Sequence, residues 1–242
     1  MRSLVEGLSR ARAAFLAPML AILFIGLFIS TGNCFEERWV SIDGVTNFRD
    51  IGGYITDDGI VKEAVIYRSG DLSAIQPSGV KKLKELGIKT VVDLRDKPEE
   101  SKMEMLLSES GIKVVKIPMK RDELRDKAEF YRRIIVLSRK SLIKLITLIS
   151  DQKNLPLVIF DNEGVHEVGV ATMFLLDAIG VKSEDRLNDY MLSNKHIANL
   201  KTEWGEHIIK YFEEYGGMEP YLKNILKISP KVTKNAKKNL IK

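Results

Sequence analysis

Cysteine is nearly absent: Cys34 is the only one in 242 residues, so no intramolecular disulfide can form. Internal repeats are missing, and so is low-complexity sequence apart from a lysine-rich C-terminus. No nucleic-acid-binding motif is visible, so the net charge of +5 is not read as a nucleic-acid footprint. Acidic residues interleave with the lysines along the helical stretches, which reads as solvated surface with a basic tail over residues 229–242. What is present, 45% hydrophobic and 29% charged residues, fits one domain with a core large enough to fold.

Charge is also missing from one long stretch. Arg2, Arg10 and Arg12 precede Ala13 to Ile29, an apolar run broken only by Pro18 and Gly26, and the next charge is Glu36. Since ~20 apolar residues cross a bilayer, residues 1–32 read as a signal peptide or a membrane anchor, and both readings stand open. Ser30 and Gly32 are spaced like a signal-peptidase site. The leading arginines place the globular part outside the cytoplasm, either membrane-anchored there or secreted or periplasmic after cleavage. Cys34 follows the run as a candidate lipid acceptor, although Thr31-Gly32-Asn33 before it fits the usual Leu-Ala-Gly pattern poorly. Residues 33–39 are a linker to a domain at 40–228.

Strands are expected at Val65 to Tyr67, Thr90 to Leu94, Val114 to Ile117 and Leu157 to Phe160, from their short apolar or β-branched runs. Helices are expected at Ser78 to Leu86, ended by Gly87, and from Pro98 to Ser110, ended by Gly111. Ala128 to Ser150 reads as one long amphipathic helix. Val170 to Ile179 is apolar on nearly all sides and so is expected to be buried, Ser183 opens another helix, and Lys195 to Tyr215 ends at Gly216-Gly217. Alternating strands and helices imply an α/β fold with a mainly parallel central sheet flanked by helices.

The stretch Leu155 to Gly180 carries most of the functional information. A strand, a loop with Gly164 and Gly169, and an apolar helix make a phosphate cradle, because unpaired N–H groups converge at the helix start. It resembles the His-Cys-x-x-Gly-x-x-Arg-Thr-Gly loop of cysteine-dependent tyrosine phosphatases. On that pattern Gly164 and Gly169 keep the glycines. Phe160 stands for the histidine, Asp161 for the nucleophilic cysteine, Glu167 for the phosphate-clamping arginine and Val168 for the threonine. Asn162, Glu163, Val165 and His166 complete the loop. Asn47-Phe48-Arg49-Asp50-Ile51-Gly52-Gly53-Tyr54, Tyr67 to Ser73, and Gly87 to Arg95 with Glu99-Glu100 are similar to successive blocks of the bacterial and fungal branch of that family. Asp189 to Asn194 and Gly216 to Leu222 match its C-terminal blocks. The resemblance implies a cysteine-phosphatase-like fold.

It also implies lost chemistry. Cys34 lies outside the resembling domain and has no adjoining loop or base, so it is not the catalytic thiol. Asp161 as an attacking carboxylate needs a cation on the phosphoryl oxygens, and Glu167 is an anion. A unit charge about 4 Å away contributes ~4 kcal/mol at an effective dielectric near 20, and reversing its sign doubles the swing. Backbone amides return about 1–3 kcal/mol each. The loop is therefore expected to bind its own side chain or water in preference to phosphate.

The leading expectation is a catalytically inactive relative, a pseudophosphatase with a residual binding or scaffolding role. Its partner is an unknown protein or a weakly bound phospho-ligand, with the membrane engaged through Ala13 to Ile29 where that run is retained. The alternatives are a protein whose active parent hydrolyses phosphotyrosine, phosphoserine/threonine or phosphoinositide esters, and a metal-assisted phosphohydrolase using Asp161 with Glu167 or His166 as ligand. No cofactor is expected. No metal site is expected either, since Asp161, Glu163, His166 and Glu167 on one short loop seldom all point inward. His166 falls where some relatives carry an acid. Asp122 and Asp126 read as a solvated turn. Arg49, Arg68 and Arg95 are expected to pair with Asp50, Asp71 and Asp93.

Overall fold

A computed structural model of the chain describes residues 38–97 and 102–242; the apolar run, Cys34, most of the linker and the Pro98 helix start lie outside the described residues. Residues Trp39–Lys242 form one compact unit. Its strands are β1 (Arg49–Asp50), β2 (Ile55–Thr56), β3 (Gly59–Ile60), β4 (Ile66–Ser69), β5 (Thr90–Asp93), β6 (Lys113–Lys116) and β7 (Leu157–Phe160). The main sheet has the order β1-β4-β7-β5-β6, with β1 antiparallel to β4 and the other pairs parallel. Strands β2 and β3 make a separate hairpin.

The strands sit centrally for a simple reason. Every residue of β4, β5 and β7 is buried, as expected of parallel strands covered on both faces. Alternation divides them between two apolar clusters: Ile66, Val92, Leu157 and Ile159 face one side, Tyr67, Val91, Val158 and Phe160 the other. Strand β6, with lysine at both ends, is the exposed edge.

Helices α1 (Pro77–Glu85) and α2 (Lys102–Glu109) cover the second face. Pro77 opens α1 where a missing N–H costs nothing, and Gly87 follows it with φ +71°. The other face carries α3 (Lys127–Leu137), α4 (Arg139–Ile149), α5 (Glu167–Ala178), α6 (Ser183–Met191), α7 (Thr202–Glu213) and α8 (Pro230–Leu240). Eleven of the twelve α5 residues are buried, in line with its apolar circumference.

The structure corrects several expectations. The stretch from Ala128 to Ser150 is two helices. Ser138 leaves helical geometry (φ −104°, ψ 16°), and its buried Oγ accepts the Lys120 N–H at 2.9 Å, a tertiary bond with no local sequence signal. Gly169 belongs to the first turn of α5 and not to the loop. Helix α7 starts seven residues later than expected, because Asn199 takes φ +65° and Lys201 is extended. The basic tail is not a tail. Ser229 caps α8, Ala236 and Leu240 are buried, Ile241 bridges to Val61, and Ile60 and Lys242 exchange two backbone hydrogen bonds. Among the described residues no helix is long and apolar enough to cross a membrane.

Candidate functional site

Strands β4, β5 and β7 end in register at Ser69, Asp93 and Phe160, so their following loops share one end of the sheet, the usual place for a ligand in α/β folds. The loop of residues 161–166 leaves β7 there and turns into α5. Gly164 has φ +73°, and a Cβ would meet Ser69 O and Gly70 N at 2.7 Å, so only glycine fits against the β4 end. Gly169 has a different reason: a Cβ would stand 3.1 Å from the Tyr190 ring, where α6 approaches α5.

Inside the loop lies the buried carboxylate of Asp161. Its Oδ1 accepts the backbone N–H of Glu163 at 2.8 Å and that of Gly164 in a short bond, and its Oδ2 accepts Val168 N–H at 2.9 Å. The amides that converge on the start of α5 are thus met by an anion belonging to the chain, and the positive end of the helix favours it there. The loop's carbonyls point the other way and are fixed from behind. Asn47 Nδ2 donates to Glu163 O and Gly164 O at 3.1 and 3.0 Å, and Arg68 Nη2 donates to Gly164 O at 2.7 Å.

Behind these bonds is a buried charge network. Arg68 makes a short ion pair with Asp189 of α6, whose other oxygen lies 3.6 Å from Arg49 Nε and 3.4 Å from Tyr54 Oη. Arg49 also donates to Asp189 O and Ser193 Oγ, both at 2.9 Å, and to Asn47 Oδ1. Burial, reinforced by the neighbouring Arg68, lowers the Arg49 pKa to about 9, with Asp189 opposing. Arg49 and Arg68 therefore do not pair with Asp50 and Asp71. Asp50 instead accepts the N–H groups of Gly52 and Ala64. Arg95 does behave as expected: it is bidentate to Asp93, reaches Asp71 at 3.3 Å and lies over the Phe160 ring at 4.9 Å.

The remaining loop residues divide between core and cleft. Val165 and Val168 are buried in the α-helical core. Glu163 and Asn162 are exposed. His166 precedes α5 with Nδ1 2.9 Å from Tyr131 Oη, which lies 2.6 Å from Tyr190 Oη, and with Nε2 3.3 Å from Glu163. Burial lowers the imidazole to about 4, so it is neutral at pH 7, and burial raises both phenols. Glu167 is buried at the α5 start, 3.5 Å from Arg121. Burial first, then the charge of Asp161, pushes its carboxyl up to about 8, while Arg121 pulls the other way, so at pH 7 Glu167 is mostly protonated and is not the anion expected from the sequence. A cleft of about 610 Å³ opens in front, where Asp71, Asp96, Glu123 and Glu167 face Arg95, Lys97 and Arg121. In the stretch read as a solvated turn, Asp122 pairs with Arg133 at 2.5 Å and Asp126 caps α3 by accepting Glu129 N–H.

Among the described residues no group of three or more His, Cys, Asp or Glu is arranged to hold a metal ion. Asp161 spends both oxygens on amides. Sequence reasoning missed Asn47, Asp189, Tyr131, Tyr190 and Arg121. Asn47, Asp189 and Tyr190 stand inside blocks that carry the family likeness, but Gly164, Arg68 and Tyr131, which they meet, are 117, 121 and 59 residues away.

A mainly parallel sheet with this strand–loop–helix at its C-terminal edge defines a cysteine-phosphatase-like fold. The Siw14 catalytic core superposes with a TM-score of 0.50 at 14% identity, covering 77% of this chain and 95% of that one. The core catalytic domain of the PP-IP phosphatase SIW14 from S. cerevisiae, in complex with citrate, gives 0.51 at 16% identity over 77% and 97%. The chain belongs to the tyrosine phosphatase family, whose sequence profile matches residues 40–242. A relative in Cupriavidus necator, named "Putative tyrosine-protein phosphatase H16_A0669", is 26% identical over 179 residues, 66% of this chain and 65% of that protein's length.

Proposed function

We propose that this chain is a catalytically inactive member of the tyrosine phosphatase family, whose phosphate loop is closed by its own carboxylate. The observation that carries the reading is the set of three amide bonds to Asp161. An incoming phosphate needs those same donors, and reaching them means displacing an anion of like charge that is covalently attached. Glu167 stands at the helix start where the family pattern has an arginine, and Arg121 beside it is already engaged with Glu167 and Glu123. No thiol is present in the family domain, since Cys34 precedes it. The role left to such a domain is binding or scaffolding. The charge-free run from Ala13 to Ile29 supports a domain held at, or exported across, a membrane.

The test is phosphate release from p-nitrophenyl phosphate, phosphotyrosine peptides, phosphoinositides and inositol pyrophosphates. The expected outcome is none above background. Turnover that disappears in Asp161→Ala would show an active enzyme using that carboxylate.

A further inference from the structure

The chain's positive charge is concentrated at the end of α5 remote from the phosphate loop. Seven of the 38 basic residues fall between Pro220 and Lys242, which contain no acid; the other 31 face all 33 acids, so the rest of the chain carries a net −2. Helix α8 is amphipathic by position. Val232, Ala236 and Leu240 recur every fourth residue and face inward, while Lys231, Lys234 and Lys238 recur at helical spacing on the outside. With Lys223 and Lys227 from the preceding segment they make five exposed lysines that form no ion pair among the described residues; Lys237 and Lys242 do pair, with Asp58 and Glu63.

Beside these lysines lies exposed apolar surface. Ile55 and Ile60 are directly paired across the β2–β3 hairpin, and they are 66% and 42% exposed. The hairpin is joined to the end of α8 by the two Ile60–Lys242 backbone bonds and by the Lys237–Asp58 contact at 2.7 Å. A groove of about 500 Å³ runs next to them, lined by Ala178, Met218, Leu222 and Ile228 together with Lys223 and Lys234; of its two acids, Asp177 pairs with Arg186 and Glu219 lies beside Met218.

We propose that this end of the domain is a peripheral docking surface for an anionic phospholipid bilayer. The lysines would meet the headgroups, and Ile55 and Ile60 would enter the interface. Unpaired lysines beside exposed aliphatic side chains are the combination that an interfacial surface requires. An acidic protein partner would satisfy the lysines but leaves the isoleucine pair without a role. Because α5 is twelve residues long, the phosphate loop stands roughly 18 Å from this end and is left facing solvent. The inference is independent of whether that loop has catalytic activity.

The full chain, reconstituted with vesicles of phosphatidylcholine alone or with 40% phosphatidylglycerol, is acetylated with an amine reagent. Lys223, Lys227, Lys231, Lys234 and Lys238 are read by mass spectrometry against Lys81 and Lys84 of α1 as internal references. On anionic vesicles the five lysines should react about five-fold more slowly relative to the references, and the protection should vanish in 0.5 M salt. Ile55→Asp with Ile60→Asp, both at exposed positions, should relieve the protection without lowering Tm. Equal labelling on the two vesicle types overturns the proposal, as it would if the partner were an acidic protein. Protection that survives the double isoleucine variant overturns the role given to the hairpin and with it the interfacial mode.

Discussion

Asp161 and Asp189 are both buried, yet they are held by opposite means. Asp189 lies between two guanidiniums, Arg49 and Arg68. Asp161 lies instead against three backbone N–H groups, the start of a helix and the raised carboxyl of Glu167. Arg68 connects them: one arm of its guanidinium holds Asp189 and the other holds the carbonyl of Gly164 within the Asp161 loop. The comparison separates two functions that loop architecture usually joins. Arg49 and Arg68 shape the loop from behind, whereas the cations in front, Arg95 and Arg121, are engaged with the acids of the cleft and leave Asp161 to backbone amides.

The sharpest way to break the comparison is Asp189→Ala. It leaves two buried arginines facing each other, and the expected loss of stability is about 3–5 kcal/mol, read by urea unfolding, with Asp189→Asn costing clearly less. Asp161→Ala should cost less, about 1–3 kcal/mol, because orphaned amides at a loop are easier to hydrate than buried guanidiniums. The same variant opens the cradle, so tungstate at pH 6 should raise the Tm of Asp161→Ala and leave that of the native chain unchanged. An equal rise in both would mean that the native loop already exchanges its carboxylate for solute.

Proton linkage sharpens the comparison from another side. Glu167 is raised in the folded state from 4.5 to about 8, so between those values the native state holds more protons than the unfolded one, and stability falls as pH rises. His166 is lowered from 6.5 to about 4, which makes stability rise with pH over that lower window. Of these two groups only Glu167 acts between pH 6.5 and 8. The native chain should lose stability across that interval, and Glu167→Gln should flatten the slope. The smallest expected effect is that of Tyr131→Phe, about 1 kcal/mol, from loss of the hydroxyl that bridges His166 and Tyr190.

These effects also mark what the sequence makes legible. The central strands are readable because burial on both faces demands unbroken apolar runs such as Leu157 to Phe160, and α5 because it has no polar face. The loop is readable because glycine at 164 and a helix start are local features. Partners across the fold are not. Nothing near Arg68 announces Asp189, 121 residues away, and Asp71, only three residues away, pairs with Arg95 instead. Ser138 breaks a helix through a bond to Lys120 that only the folded chain creates. The lysines of α8 look like a solvated tail until Val232, Ala236 and Leu240 are seen to share a side.

The Asp161 carboxyl is attached to its own backbone through a single methylene, so its concentration at the loop is set by covalent geometry and not by solution. Dialysis cannot strip it, and dilution cannot lower its occupancy. A free oxyanion competes with a group that pays almost no translational entropy to stay. The loop should accordingly keep its shape in plain buffer, with no guest required to order it.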